Sequence, residues 1–245
     1  MRLSLWMGGA IALWSVWAAV SAAEDPAALQ QLLIARQCAG CDLQGATLLA
    51  ADLANANLQR ADLRSANLQG ALMINSNLQG ALLDGANLSG ANLSQSDLTG
   101  AGLNNAQLVA TRLANTQFQQ AVLVGANLQG AIALNSSFVG ADLTGATLTE
   151  ASFVQVNLGR ATLVGANLQG ADFYRASLIR ADLSNSYLQG VDFGGARLVS
   201  ATLSNADLTD ANLRGAIMTG AVLEGTRFCR TVMPDGAVNN ADCPP

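Results

Sequence analysis

From Leu43 to Phe228 every fifth residue is Leu, Phe or Met, giving 38 units without a slip of register and with one exception, Ala133. A helix repeats its apolar positions every 3.6 residues and a strand every 2, so a strict period of five suits neither. Short fixed periods belong to solenoids, whose units bury apolar surface only by stacking on their neighbours. Each unit must then hold a short extended stretch and a corner. Two residues before each centre stands a small residue, usually Ala, as in Ala61, Ala91, Ala141 and Ala211. Residues two apart in extended backbone share a face, so the small residue and the centre point inward. The residue between them, most often Asp or Asn as in Asp62, Asn92, Asp142 and Asn212, points out.

The two residues after each centre form the middle of a β-turn. If the turn is type II, the second needs positive φ, which favours Gly or Asn. Of the 38 such positions 17 are Gly and 7 are Asn. Corners such as Arg60, Gln120 and Glu150 are expected to use other turn types.

The pattern Ala-Asp/Asn-Leu-x-x resembles the pentapeptide-repeat family over about residues 38–230. The resemblance implies an all-β, right-handed quadrilateral β-helix, a solenoid with four units per coil. Leu123–Ala131 and Leu163–Ala171 both read LVGANLQGA, 40 residues apart, which is two coils of 20. The rod then has about nine and a half coils and is about 45 Å long at the β-sheet spacing. Phe153, Phe173 and Phe193 fall in one interior column and Phe118 and Phe138 in another, as packing ladders. Ala133 lies one coil from Phe153, and the larger ring is expected to fill its missing volume.

Stacked coils leave unpaired strand edges that invite association unless covered. Residues 24–37 read as a capping helix: Asp25 is the N-cap, Pro26 the first helical residue, and Leu29, Leu32 and Leu33 form an apolar stripe. Exported family members of cyanobacteria and chloroplast lumens are similar here, in the stretch Cys38–Leu43 and in the ending from Phe228 through Cys229 to Cys243. On a rod of this length the four cysteines can pair only within each end, Cys38 with Cys41 and Cys229 with Cys243. The second bridge ties residues 231–245 over the last coil.

Residues 1–23 read as an export signal: Arg2, an apolar run from Leu3 to Val20, and Ser21-Ala22-Ala23 before the cut. An uncleaved anchor is the alternative, since the run is near the lower limit for a membrane span. Cleavage removes Arg2 as the only charge, taking the net from −5 to −6. The destination is the periplasm or thylakoid lumen, with no membrane insertion after cleavage. The acidic balance, with no Lys and no His, argues against nucleic-acid binding and removes imidazole chemistry.

A convex rod with a filled interior offers no cleft where acid and base groups converge. No catalytic residue, cofactor or metal site is expected, and the function is that of a structural or protein-binding scaffold, a monomer or weak dimer. The alternative implied by the family is a DNA mimic that engages gyrase. Against it, the acidic columns are broken by Leu82, Gly102 and Val122 on one face and by Leu72, Arg112 and Ile132 on another. Most outward positions are Gln, Ser, Thr, Asp or Asn, and around one corner they turn apolar. There Ile132, Leu134, Val154 and Tyr174 lie on one face and Val139, Ile179 and Val199 on the next, with Arg160, Arg175 and Arg180 at corners. Apolar, aromatic and Arg side chains together mark this corner as the candidate partner site. Leu134 is the member that the unusual Ala133 unit could turn inward.

Overall fold

The computed structural model describes residues 25–244; the export signal expected over residues 1–23 lies outside them. Helix α1, Pro26–Ala35, opens the described chain. The Asp25 side chain accepts the Ala27 N–H at 2.9 Å, and Arg36 closes the helix in the left-handed region with φ 58°, donating its N–H to the Leu32 carbonyl. Ala28, Leu29 and Leu32 are buried against the first coil, and Leu33 packs partly against it. Arg36 also pairs with Asp52 at 2.8 Å, pinning the helix end to the coil edge.

Parallel bridges join each outward residue to the one 20 positions on, from Gln37↔Asn57 to Asn212↔Val232. With one turn every five residues, four turns close each coil. Backbone bonding is nearly complete within a unit. In the unit centred on Leu143, the Leu143 N–H donates to the Thr162 carbonyl at 2.7 Å and the Gly145 N–H to the Val164 carbonyl at 2.9 Å, both one coil on. Asp142 N–H donates back one coil to Ala121 at 3.0 Å, and Ala146 N–H closes the turn on Leu143 at 3.0 Å. Only the Thr144 N–H is left over. The Asp142 carboxylate takes it at 3.0 Å.

That last bond explains the Asp and Asn of the repeat. They are Asx caps of the turn, as in Asn67 on Gln69, Asn127 on Gln129 and Asn167 on Gln169. Where Gly102 cannot cap Asn104, Asp84 of the preceding coil accepts its N–H at 2.9 Å instead. A side chain at 102 would crowd that carboxylate, whose oxygen lies 3.3 Å from the Cβ position.

The expectation of mixed turn types is corrected. Every fifth residue from Gly40 to Arg230 has positive φ, including Arg60 at 56°, Gln120 at 58° and Glu150 at 58°. The residues before them do not, so all the corners are type II turns. The reason is the ladder. Each middle peptide donates its N–H to the middle peptide of the next coil, and a type I turn would flip that peptide away. The flip breaks one bond above and one below, worth about 0.5–1.5 kcal/mol each net. The left-handed conformation costs a non-Gly residue about 1–2 kcal/mol, and breaking the ladder also strands polar groups, so the stack dictates the turn.

The centres and small residues fill the interior, and Ala133 is fully buried. The two Phe columns are one ladder. Phe118 stacks on Phe138 with centroids 4.5 Å apart, Phe138 meets Phe153 of the neighbouring column at 5.3 Å, and Phe153–Phe173–Phe193 continue at 5.3 and 5.6 Å. The crossing falls at the coil of Ala133, where the Phe138 and Phe153 rings meet beside the position that lacks a large centre. Small positions occupied by Ser76, Ser96, Thr116 and Ser136 form a second interior column. Their hydroxyls donate to the carbonyls of Leu53, Met73, Leu93 and Leu113, so none is left unpaired.

At the far end the ladder runs a few residues beyond 230. Thr231–Val232 (β1) pairs with Val238–Asn239 (β2) as an antiparallel hairpin. Both disulfides join as expected, Cys38–Cys41 and Cys229–Cys243. Arg230 grips Asp210 through two bonds of 2.6 Å, and Asp242 and Asn240 accept the N–H groups of Phe228 and Arg230.

Candidate binding face

The sequence-derived cluster spans two faces that meet at the Arg175 corner. On the first, Ile132 and Leu134 point outward and are 49% and 39% exposed, so the Ala133 unit does not invert Leu134. Val154 is half-buried and Tyr174 is 41% exposed. The Tyr174 ring lies along the bare backbone of Gly194, where a Cβ would come within 3.1 Å of it. The Arg175 guanidinium sits 5.1 Å from the ring centroid. These contacts hold an aromatic side chain at the surface in a fixed pose, which lowers the entropy lost if a partner covers it.

The second face carries the inward centres Phe138, Leu158, Leu178 and Leu198. Its outer column, one residue after each centre, changes character along the rod. Nearer the helix end it holds Gln59, Gln79, Thr99 and Gln119, bonded to one another and to Asp97 across coils. Farther on the same column reads Val139, Gly159, Ile179 and Val199. Gly159 leaves a gap in that apolar row, and a groove of about 500 Å³ opens there. Arg160 and Arg180 line it from the corner and Arg197 from within the face.

Of the expected residues the groove therefore gathers Val139, Arg160, Ile179, Arg180 and Val199. Ile132, Leu134, Val154, Tyr174 and Arg175 lie on or at the edge of the adjoining face. Sequence reasoning missed Gly159, Arg197 and Gly194. Gly159 was findable as the break in an apolar series spaced by 20, and Gly194 as the bare position one coil beyond Tyr174.

Among the described residues the ion pairs are Arg36–Asp52, Arg64–Asp62, Arg227–Asp207 and Arg230–Asp210. None of these involves Arg160, Arg175, Arg180 or Arg197. The acidic rows are short, as expected: Asp42↔Asp62 continues into Leu82, Gly102 and Val122, and Asp172↔Asp192 ends at Asn212. Asp97 and Asp207 are half-buried, which pushes their carboxyls up. Hydrogen bonds from Thr99 and Gln79 to the first, and from Thr209 and Gln189 with the Arg227 charge to the second, outweigh burial and hold both below the ordinary value.

The family model for pentapeptide repeats matches in eight copies, the first over residues 37–70 and the other seven overlapping from 76 to 235. Among solved structures the chain is similar to HetL, a pentapeptide repeat protein involved in heterocyst differentiation regulation from the cyanobacterium Nostoc sp. strain PCC 7120. Identity is 33% over 86% of this chain and 98% of that one, with a TM-score of 0.45. A pentapeptide repeat protein from the thylakoid lumen of Arabidopsis thaliana is 33% identical over 41% of this chain and 66% of that one, with a TM-score of 0.31. A trypsin-treated form of QnrB1, a plasmid-mediated fluoroquinolone resistance protein, is 20% identical over 76% and 88%, with a TM-score of 0.38. The comparison with curated proteins finds no match. With its unbroken five-residue period, its type II corners and its coils of 20, the chain belongs to the pentapeptide-repeat family and folds as a right-handed quadrilateral β-helix.

Proposed function

We propose that the protein is an exported, non-enzymatic rod that binds another protein at the corner between the Tyr174 and Ile179 faces. The observation that carries this reading is the change along one face from an amide ladder to an apolar row flanked by Arg side chains that join no ion pair among the described residues. The fold asks nothing different of those outward positions, so a contact is the physical reason for the change. Export is supported by the apolar start of the chain and by two disulfides, which persist in oxidising compartments. A non-enzymatic role is supported by the use of the acidic residues as turn caps and by an interior filled with side chains.

The test is capture of partners from the exported fraction by the mature rod and by a Tyr174→Ala, Arg180→Glu variant. The variant is expected to fold, by circular dichroism, and to lose the partner. Equal capture by both proteins would remove this corner as the site. A gyrase supercoiling assay tests the alternative, and inhibition at stoichiometric protein would favour it.

A further inference from the structure

We propose that the groove over Gly159 takes a short, extended, acidic peptide segment carrying aliphatic side chains, a chemistry that rests on the protein-binding reading above. Arg160, Arg180 and Arg197 are exposed and make no ion pair or side-chain hydrogen bond among the described residues. Three unpaired guanidinium groups beside one groove, in a chain of net charge −5, call for carboxylates. The apolar row specifies the rest of the ligand. Val139 and Ile179 border the notch at Gly159, with Val199 one coil beyond Ile179 in the same groove, and an aliphatic side chain seated at the notch would bury surface on the first two.

The row spans three coil spacings, about 14 Å, which is the reach of about four extended residues. A longer polyanion is disfavoured by the neighbouring faces. Asp142 and Asp182 stand just past the Arg180 corner, and Asp172 and Asp192 lie before the Arg175 corner. A nucleic acid crossing the face would meet these carboxylates and would leave the apolar row unfilled. A short peptide running along the axis avoids both.

The experiment is fluorescence anisotropy of the mature rod with a labelled octapeptide of alternating glutamate and leucine. Glutamate–serine and lysine–leucine octapeptides and a single-stranded oligonucleotide serve as comparisons. Saturable binding of the glutamate–leucine peptide is expected, weakening as salt rises. Arg160→Gln with Arg180→Gln should weaken it about tenfold or more by removing two charge-assisted contacts. Gly159→Val should weaken it about fivefold or more with no change of charge, by filling the notch. Position 159 tolerates the change, because its backbone is not left-handed and Val already occupies the same column at 139 and 199. The nearest atom to its Cβ position is the Asn157 Oδ1 at 3.3 Å, the end of a side chain that can give way.

Absence of binding overturns the proposal, as does equal binding of the glutamate–serine peptide, which would mark a plain anion patch, or of the lysine–leucine peptide, which would mark a plain apolar one. Tighter binding of the oligonucleotide, unaffected by Gly159→Val, overturns it in favour of nucleic acid. If the Tyr174→Ala, Arg180→Glu variant loses its native partner while the glutamate–leucine peptide fails to bind, the contact corner stands and the proposed chemistry falls.

Discussion

Replacing Ala133 by Leu, the residue that its position in the repeat favours, is expected to destabilise the rod. Phe138 is the next centre in the same coil, and its ring reaches Phe153, which stands one coil beyond Ala133 in the adjoining column, at 5.3 Å. The two rings thus meet diagonally beside the Ala133 side chain, so a larger side chain at 133 is expected to compete with them for the same volume. Overpacking of this kind costs about 1–3 kcal/mol. An empty site would give the opposite sign, because a buried Leu→Ala change costs about 2–5 kcal/mol and filling a ready-made void recovers part of it. Phe138→Leu alone removes ring contacts with Phe118 and Phe153, each worth about 0.5–1.5 kcal/mol. Combining the two changes relieves the clash and refills the volume. The double variant should therefore be more stable than the sum of the single effects predicts, by about 1–3 kcal/mol. Guanidinium unfolding followed by circular dichroism measures this, with midpoints compared at equal slope because a solenoid can lose two-state behaviour. An Ala133→Leu variant as stable as wild type, or strict additivity in the cycle, would refute the crossing of the ladder as the reason for Ala133.

The corners give a second prediction. Gly130 has φ 63° and open space around its Cβ position, so Gly130→Ala should cost about 1 kcal/mol from backbone strain alone, whereas Ala110→Gly, at φ 53°, should gain about 0.5–1 kcal/mol. Thermal melts of the pair check it, and shifts of the same sign in both would contradict the type II assignment. The third concerns acid. Asp97 and Asp207 have depressed folded values, so their contribution is present above the unfolded carboxylate value near 3.9 and is lost as pH falls through the folded one. Asp97→Asn with Asp207→Asn should flatten the loss of stability below about pH 4, and an unchanged acid profile would count against it.

What could be read from the sequence was whatever is written locally in every unit. The period of five, the inward Leu and Ala, the Asp25 cap and the pairing of Cys229 with Cys243 all follow from one residue type at one spacing. Glu150 and Arg60 misled because the turn type is fixed by the ladder between coils, not by the residue at the corner. The Asx role of Asp142 was hidden for a related reason: an outward carboxylate looks like solvated surface until the one unpaired amide of the unit, Thr144 N–H, is found beside it. Phe138 crossing to Phe153 depends on side-chain direction within the core, which spacing by 20 cannot supply.

The caps also bear on where function lies. An Asx cap contributes about 1 kcal/mol or less at an exposed turn, since water can replace it, so the rod can lose several without unfolding. On the groove face Asn157 keeps its cap on Gly159 at 3.1 Å, but the next two outward positions are Ser177 and Arg197. Neither supplies a carboxylate or amide to the Ile179 or Val199 turn. Over the same coils the outer column exchanges the cross-coil amide bonds of Gln59 and Gln79 for Val, Gly, Ile and Val. Both exchanges give up polar bonding that the fold can use and expose apolar surface and charge in its place. Missing caps alone mark no site, since Leu72, Val122 and Tyr187 cannot cap their turns either. What distinguishes this face is that the exchange of its outer column coincides with Arg160, Arg180 and Arg197 standing outside any ion pair among the described residues, and the contact proposed to offset it is the one the Gly159→Val variant is designed to remove.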